Sequence, residues 1–242
     1  MAKTKSVYYC NNCGAESAKW IGRCPVCGEW NTYVEEVVST KPAASSGSGY
    51  SLSGENRMRP QRIDDIQVTE ESRIDLGNGE LNRVLGGGLV RGSLVLIGGE
   101  PGIGKSTLIL QTVLGLKGYK ILYVSGEESA RQLKLRAERI GGSAPDCYIV
   151  CETSLEDIFV HIRNVDPDIV VIDSIQTIAT TAMESSPGSV GQVRECAASL
   201  LKFAKQTNTP VLLVGHINKE GSIAGPKVLE HIVDTVLQFE GD

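Results

Sequence analysis

Four groups of residues in this 242-residue chain have types and spacings suited to chemistry. The first is Gly99-Glu100-Pro101-Gly102-Ile103-Gly104-Lys105-Ser106, which reads G-x-x-x-x-G-K-S and is followed by Thr107. Successive backbone N–H groups in such a loop wrap a polyphosphate, and the N-terminus of the following helix adds favourable dipole charge. Lys105 would reach the β- and γ-phosphates of a nucleotide, and the Ser106 hydroxyl would ligate Mg²⁺. The second is Asp173, at the end of the apolar run Ile169-Val170-Val171-Ile172. An acidic residue there can hold Mg²⁺ through its water shell. The third is made of polar residues at two other strand ends. Glu127 and Glu128 follow Ile121–Ser125, and His216 follows Val211–Gly215. One glutamate is placed to polarise an attacking water, and the other is a carboxylate at a helix start. Spacing alone does not choose between them. His216 stands where a γ-phosphate would be sensed, or it is a histidine satisfied at a strand end.

The fourth group is Cys10, Cys13, Cys24 and Cys27, spaced C-x₂-C-x₁₀-C-x₂-C. Tetrahedral Zn²⁺ accepts four thiolates at about 2.3 Å, and two such knuckles supply them with little backbone strain. A redox pair or two disulfides is the competing use of the same spacing. A four-thiolate site is closed, so the expected metal is structural, and a segment this small depends on it to fold. Cys147, Cys151 and Cys196 are scattered, and the expectation for them is small hydrophobic packing. His161 and His231 lie on helical stretches and are assigned no chemistry.

The elements that must position these groups alternate in type. Ser93–Gly98 reads as a buried strand and Thr107–Leu116 as a helix, which is the strand–loop–helix context that a phosphate loop requires. Ile121–Ser125, Cys147–Val150, Ile169–Ile172, Val211–Gly215 and Thr235–Phe239 read as further strands. Helices are expected over Ser129–Ile140, Leu155–Asn164 and Val190–Asn208, the first with Leu133, Leu135 and Ile140 partly inward. Buried apolar strands alternating with helices predict an α/β fold with a mostly parallel sheet covered on both faces. Residues 39–54 are rich in Ser, Gly, Ala and Pro, a linker composition. The expected organisation is a four-cysteine zinc knuckle over 1–38, a linker over 39–60 and an ATPase domain over 61–242. Thr180–Ser189 and Lys219–Lys227 read as mobile loops at strand C-terminal ends, where ligands bind on such sheets, although their composition alone fits plain surface linkage.

Composition narrows the class. Hydrophobic residues are 41% of the chain, and no apolar run approaches the roughly 20 residues of a membrane span. The N-terminus lacks a signal-peptide core, so the expected location is cytoplasmic. Net charge is −5. Residues 1–65 carry eight basic and seven acidic side chains, a net of +1, against 16 and 22, a net of −6, in the remainder. Whole-surface nucleic-acid binding is thereby excluded, and any such contact must be local.

The order of motifs resembles one family closely. It runs from the cysteine knuckle with Trp20-Ile21-Gly22-Arg23-Cys24-Pro25, through Gly98–Leu108, Ser125–Ser129 and Val170–Thr177, to Gly215-His216-Ile217-Asn218-Lys219-Glu220-Gly221. This is similar to the bacterial RadA (Sms) family of DNA-repair proteins, whose ATPase core resembles that of the RecA recombinase. The resemblance implies a RecA-like P-loop ATPase that uses ATP, Mg²⁺ and a zinc finger. It implies a DNA-dependent motor of recombinational repair and branch migration, acting as a ring oligomer, in hexameric form, on single-stranded and branched DNA beside RecA. The family's phosphate loop matches Gly99–Thr107 and its metal-side aspartate matches Asp173. By similarity to the recombinase, Glu127 is the water-activating glutamate, and the DNA-facing loops match Thr180–Ser189 and Lys219–Lys227, with Lys219 and Lys227 as their cations. Failing those, Lys19 and Arg23 of the knuckle are the next candidates. The family pattern continues into a K-N-R-F-G motif and a Lon-like domain that this sequence lacks, so an N-terminal fragment is expected. That motif is a natural source of the cation a neighbouring subunit lends to the γ-phosphate. Two other uses of the same residues are a signalling ATPase or autokinase and a non-hydrolysing zinc- and nucleotide-dependent binding module.

Overall fold

The sheet at the centre of the fold is built by strands that are apolar on both faces. A computed structural model describes residues 3–40, 62–65, 73–141, 146–216 and 229–240. Its central sheet has six strands: β4 (Leu94–Gly99), β5 (Ile121–Ser125), β6 (Cys147–Cys151), β7 (Ile169–Asp173), β8 (Val211–His216) and β9 (Thr235–Phe239). They lie in the order β6-β5-β7-β8-β4-β9, and every pairing is parallel. Side chains alternate between faces along a strand. Leu94, Leu96, Leu122, Val124, Val170, Ile172, Val211 and Leu213 enter one core cluster with Leu155–Ile162 and Val190–Ala204 residues. Val95, Ile97, Ile121, Tyr123, Ile169, Val171, Leu212 and Val214 enter the other. The helices therefore divide. α4 (Leu155–Val165) and α5 (Val190–Thr207) cover the first face, and α1 (Gly79–Val84), α2 (Lys105–Gly115) and α3 (Ala130–Ile140) the second.

The helix starts are set by side-chain caps. Asn78, Ser129, Ser154 and Ser189 each accept backbone N–H groups of the first turn, and Ser129 forms a reciprocal capping box with Gln132. α2 is the exception. Its N-cap is Gly104 at φ 107°, with no side-chain cap, so its first N–H groups are left for another acceptor. One sequence expectation fails here. Leu135 is half exposed on α3, and Ala137 takes the inward position instead, because only the Leu133 and Ala137 phase of the helix meets the sheet.

The N-terminal segment forms a second, three-stranded antiparallel sheet in the order β2-β1-β3, from β1 (Lys3–Cys10), β2 (Glu16–Ser17) and β3 (Tyr33–Thr40). β3 pairs with β1 as far as Thr40, beyond the boundary expected at residue 38. This small sheet leans on the large one. Tyr9 is buried in the α4/α5-side core, and the Arg194 guanidinium of α5 lies 5.9 Å from its ring centroid. Arg194 also donates to the Gly14 carbonyl at 2.7 Å. The linker expected over 39–60 lies almost wholly outside the described residues.

Candidate functional site

The C-terminal ends of β4, β5, β7 and β8 meet at one edge of the sheet, and the loops that leave them carry the polar groups. β4 turns through Glu100–Ile103 into α2, as the motif requires. Lys105 is almost fully buried, and its ammonium donates to the Gly99 and Glu100 carbonyls at 2.8 and 2.7 Å. An ammonium has three donors, and the loop's own carbonyls take two. Burial pushes the Lys105 pKa down, while the Asp173 and Glu127 carboxylates push it back up.

One turn of α2 faces β7. The Ser106 hydroxyl donates to Asp173 Oδ1 at 3.1 Å. The other carboxylate oxygen, Oδ2, accepts from the Tyr123 phenol of β5 at 2.6 Å. A hydroxyl and a buried carboxylate at this spacing form a hard oxygen donor pair, the kind Mg²⁺ takes together with phosphate oxygens and water. Ser106 and Asp173 therefore fit the metal expected of them.

The two glutamates after β5 part company. Gly126 makes the turn that separates them from the strand, and its N–H bonds the Asp173 carbonyl at 2.8 Å. A Cβ at Gly126 would collide with the Thr177 side chain, so no other residue fits there without displacing it. Glu128 turns back onto α3, where its carboxylate meets Arg136 at 2.6 Å and its N–H bonds the Ser125 hydroxyl. Glu127 points the other way. It accepts from the Ser174 hydroxyl at 2.5 Å, and His216 Nε2 lies 3.2 Å from the same oxygen. Glu127 remains about half exposed, and Lys105 feels its charge.

At the other end of the chain, Cys10, Cys13, Cys24 and Cys27 bring their sulfurs within 4.8 Å of one another. The Cys10–Cys27 and Cys13–Cys24 sulfurs are 3.6 and 3.5 Å apart. That is far beyond a disulfide bond of about 2.05 Å and close to the sulfur–sulfur edge of a tetrahedron with about 2.3 Å metal–sulfur bonds. Burial opposes the Cys24 thiolate, but the Cys27 and Val26 N–H groups and the Tyr33 hydroxyl outweigh it and hold that thiol down, whereas burial pushes the neighbouring Cys13 thiol up. The four sulfurs are thus a preformed donor set for zinc. Cys147 and Cys196 behave as core thiols, pushed up by burial to about 11 and about 12.

Comparison with known proteins agrees with both parts. Residues 58–222 match the family described as the AAA domain, and residues 8–35 match the rubredoxin metal binding domain. The chain belongs to the AAA domain family. Over its whole length it is 53% identical to the DNA repair protein RadA of Bacillus subtilis, covering 53% of that protein. It is 50% identical to DNA repair protein RadA of Pseudomonas aeruginosa over all of this chain and 53% of that one. For the Chlamydia pneumoniae protein of the same name the identity is 49%, over 99% of this chain and 52% of the relative. The chain spans about half the length of the curated relatives it matches. The fold is the α/β, P-loop ATPase type that the motifs imply, with a four-cysteine ribbon before it.

The structure brings Lys105, Ser106, Asp173, Glu127 and His216 to one sheet edge. It corrects the expectation of a mobile loop before α5. Thr180–Ser189 is not a loose loop. Glu156 of α4 accepts from the Thr180 hydroxyl and from both the N–H and hydroxyl of Thr181, and the buried Gln192 carboxamide stitches the backbone between Thr180 and Ser185. Lys219 and Lys227 lie outside the described residues, and no helix among the described residues is long and apolar enough to cross a membrane. Sequence reasoning missed Tyr123, Ser174 and Arg136. Tyr123 acts through Asp173, Ser174 through Glu127 and Arg136 through Glu128, and the signal available for Tyr123 was a hydroxyl in the middle of a mostly apolar strand.

Proposed function

We propose that this chain is the ATP-hydrolysing part of a DNA-repair protein, and that Gly99–Thr107, Asp173 and Glu127 perform the hydrolysis. The observation that supports this most is the divergence of the two glutamates: Glu128 is held by Arg136, and Glu127 faces the phosphate-loop side with Ser174 and His216. Lys105 leaves the loop carbonyls for the β- and γ-phosphates, and the uncapped N-terminus of α2 takes their remaining charge. Ser106 and Asp173 would hold Mg²⁺, which when bound would supply positive charge to the phosphate oxygens. Glu127 accepts the proton of the attacking water or orients it, and the Ser174 hydroxyl fixes the carboxylate that does so. His216, already in contact with Glu127, senses the γ-phosphate and passes its state to the segment that follows β8.

The DNA-repair assignment rests on similarity to the DNA repair proteins RadA, and with it come proposals of finer grain. The chain assembles into a ring, in hexameric form. Lys219, Lys227 and the Thr180–Ser189 loop line a path for single-stranded or branched DNA, and the ring drives branch migration beside a RecA recombinase. The ribbon holds Zn²⁺ as a structural ion. The test is ATP turnover by the whole chain, measured with and without single-stranded DNA. Turnover that DNA stimulates supports the proposal. Nucleotide binding with no hydrolysis in either condition refutes it, and phosphate appearing on the protein itself transfers the chemistry to an autokinase.

A further inference from the structure

β5 alternates, so Ile121, Tyr123 and Ser125 face the α2/α3 side, and Tyr123 places a phenol in the cluster formed there by Val95, Ile97, Ile109, Leu133 and Val171. Tyr123 is fully buried. Burying a hydroxyl costs free energy unless a partner is supplied, so a phenylalanine would be the cheaper way to fill the same space. The partner supplied is Asp173 Oδ2, at 2.6 Å. The register explains the meeting: Ser125 pairs with Asp173 and Tyr123 with Val171, so the ring and the carboxylate stand on one face of adjacent strands, two residues apart. Asp173 has the matching need. It is 6% exposed, and its carboxylate hydrogen bonds among the described residues come from Ser106 at one oxygen and Tyr123 at the other.

We propose that Tyr123 is a positioning residue for Asp173, fixing which carboxylate oxygen is offered to the metal that accompanies the nucleotide. This rests on the reading of Asp173 as the magnesium-side carboxylate. The last torsion of an aspartate is broad and roughly two-fold, so the side chain alone does not choose an oxygen. The phenol chooses for it. Oδ2 is occupied from below, and Oδ1 is left beside Ser106, the other metal-facing oxygen. A phenol carries one O–H donor, and against a carboxylate oxygen, which only accepts, it is the donor. Partners of this kind, one step behind a metal ligand, orient the ligand and commonly govern about 10- to 100-fold in metal affinity.

The experiment is a Mg²⁺ titration of the whole chain with a fluorescent N-methylanthraniloyl-ATP probe, comparing wild type, Tyr123→Phe and Asp173→Asn. The ring of Tyr123→Phe keeps the core filled, and probe binding without metal reports that the variant is folded. The expected result is a Mg²⁺ midpoint raised about tenfold or more in Tyr123→Phe, with metal-free binding within about twofold of wild type. An unchanged midpoint in Tyr123→Phe, alongside a shifted one in Asp173→Asn, overturns the positioning role and leaves Asp173 as the metal ligand. An unchanged midpoint in Asp173→Asn overturns the assignment of Asp173 itself. A loss of metal-free binding as large as the midpoint shift marks Tyr123 as purely structural and also overturns the proposal.

Discussion

Replacing Gln192 with alanine tests how the Thr180–Ser189 segment is held. The carboxamide accepts from the Thr180 N–H at 2.9 Å and donates to the Thr180, Met183 and Ser185 carbonyls at 3.1, 3.2 and 3.0 Å. Gln192 is 2% exposed and Thr180 7%. The Met183 and Ser185 carbonyls lie nearer the surface and regain water when the side chain goes. The Thr180 N–H and carbonyl do not, and each buried group left unpaired costs about 1–3 kcal/mol. Two such groups put Gln192→Ala at about 3 kcal/mol, high in the range for single substitutions. In a domain of this size that lowers Tm by roughly 6–12 °C. The assay is thermal unfolding together with limited proteolysis, and cleavage is expected to move into 180–189. A loss under about 1 kcal/mol, with the segment still protected, would refute the claim that Gln192 holds it.

Two further perturbations probe Glu156 and the N-terminal ribbon. Burial works to raise the Glu156 pKa, but the hydrogen bonds from Thr180 and Thr181 outweigh it and hold the carboxyl below its ordinary value of 4.5. A carboxyl depressed in the native state gives stability that is complete above its unfolded value and is lost as pH falls through the native one. Glu156→Gln is therefore less stable than wild type at neutral pH, and the gap closes as pH falls below about 4.5; a gap independent of pH contradicts this. Metal analysis of the purified chain is expected to find about one zinc per molecule. Both tryptophans of the chain, Trp20 and Trp30, belong to the ribbon, so chelation changes tryptophan emission while the core keeps its nucleotide affinity; a metal-free ribbon with unaltered emission contradicts it.

How much of this was legible in the sequence depends on where each partner sits. The phosphate loop and its strand and helix are one continuous segment, so Gly99–Thr107 was readable whole. Asp173 was readable because an acidic residue closing an apolar strand is a local pattern. The separate surroundings of Glu127 and Glu128 were not, because they are set by Arg136 on α3 and Ser174 beyond β7. Composition misled at Thr180–Ser189. Small polar residues suggest mobility, yet their backbone is held by Glu156 and Gln192, which carry no sign of that role in a one-dimensional reading. The phase of α3 was misread at Leu135 because arginine and lysine stems leave several apolar stripes possible until the sheet is in place.

The central claim is that Glu127, and not Glu128, activates the water. Steady-state ATP turnover of Glu127→Gln and Glu128→Gln, with nucleotide affinity measured on the same preparations, tests it most directly. Removing a general base costs typically 10²- to 10⁴-fold. Glu127→Gln is expected to bind ATP as wild type does and to hydrolyse it at least about 100-fold more slowly. Glu128→Gln, which loses only its pairing with Arg136, keeps turnover within a few-fold. A silent Glu128→Gln beside an active Glu127→Gln contradicts the account.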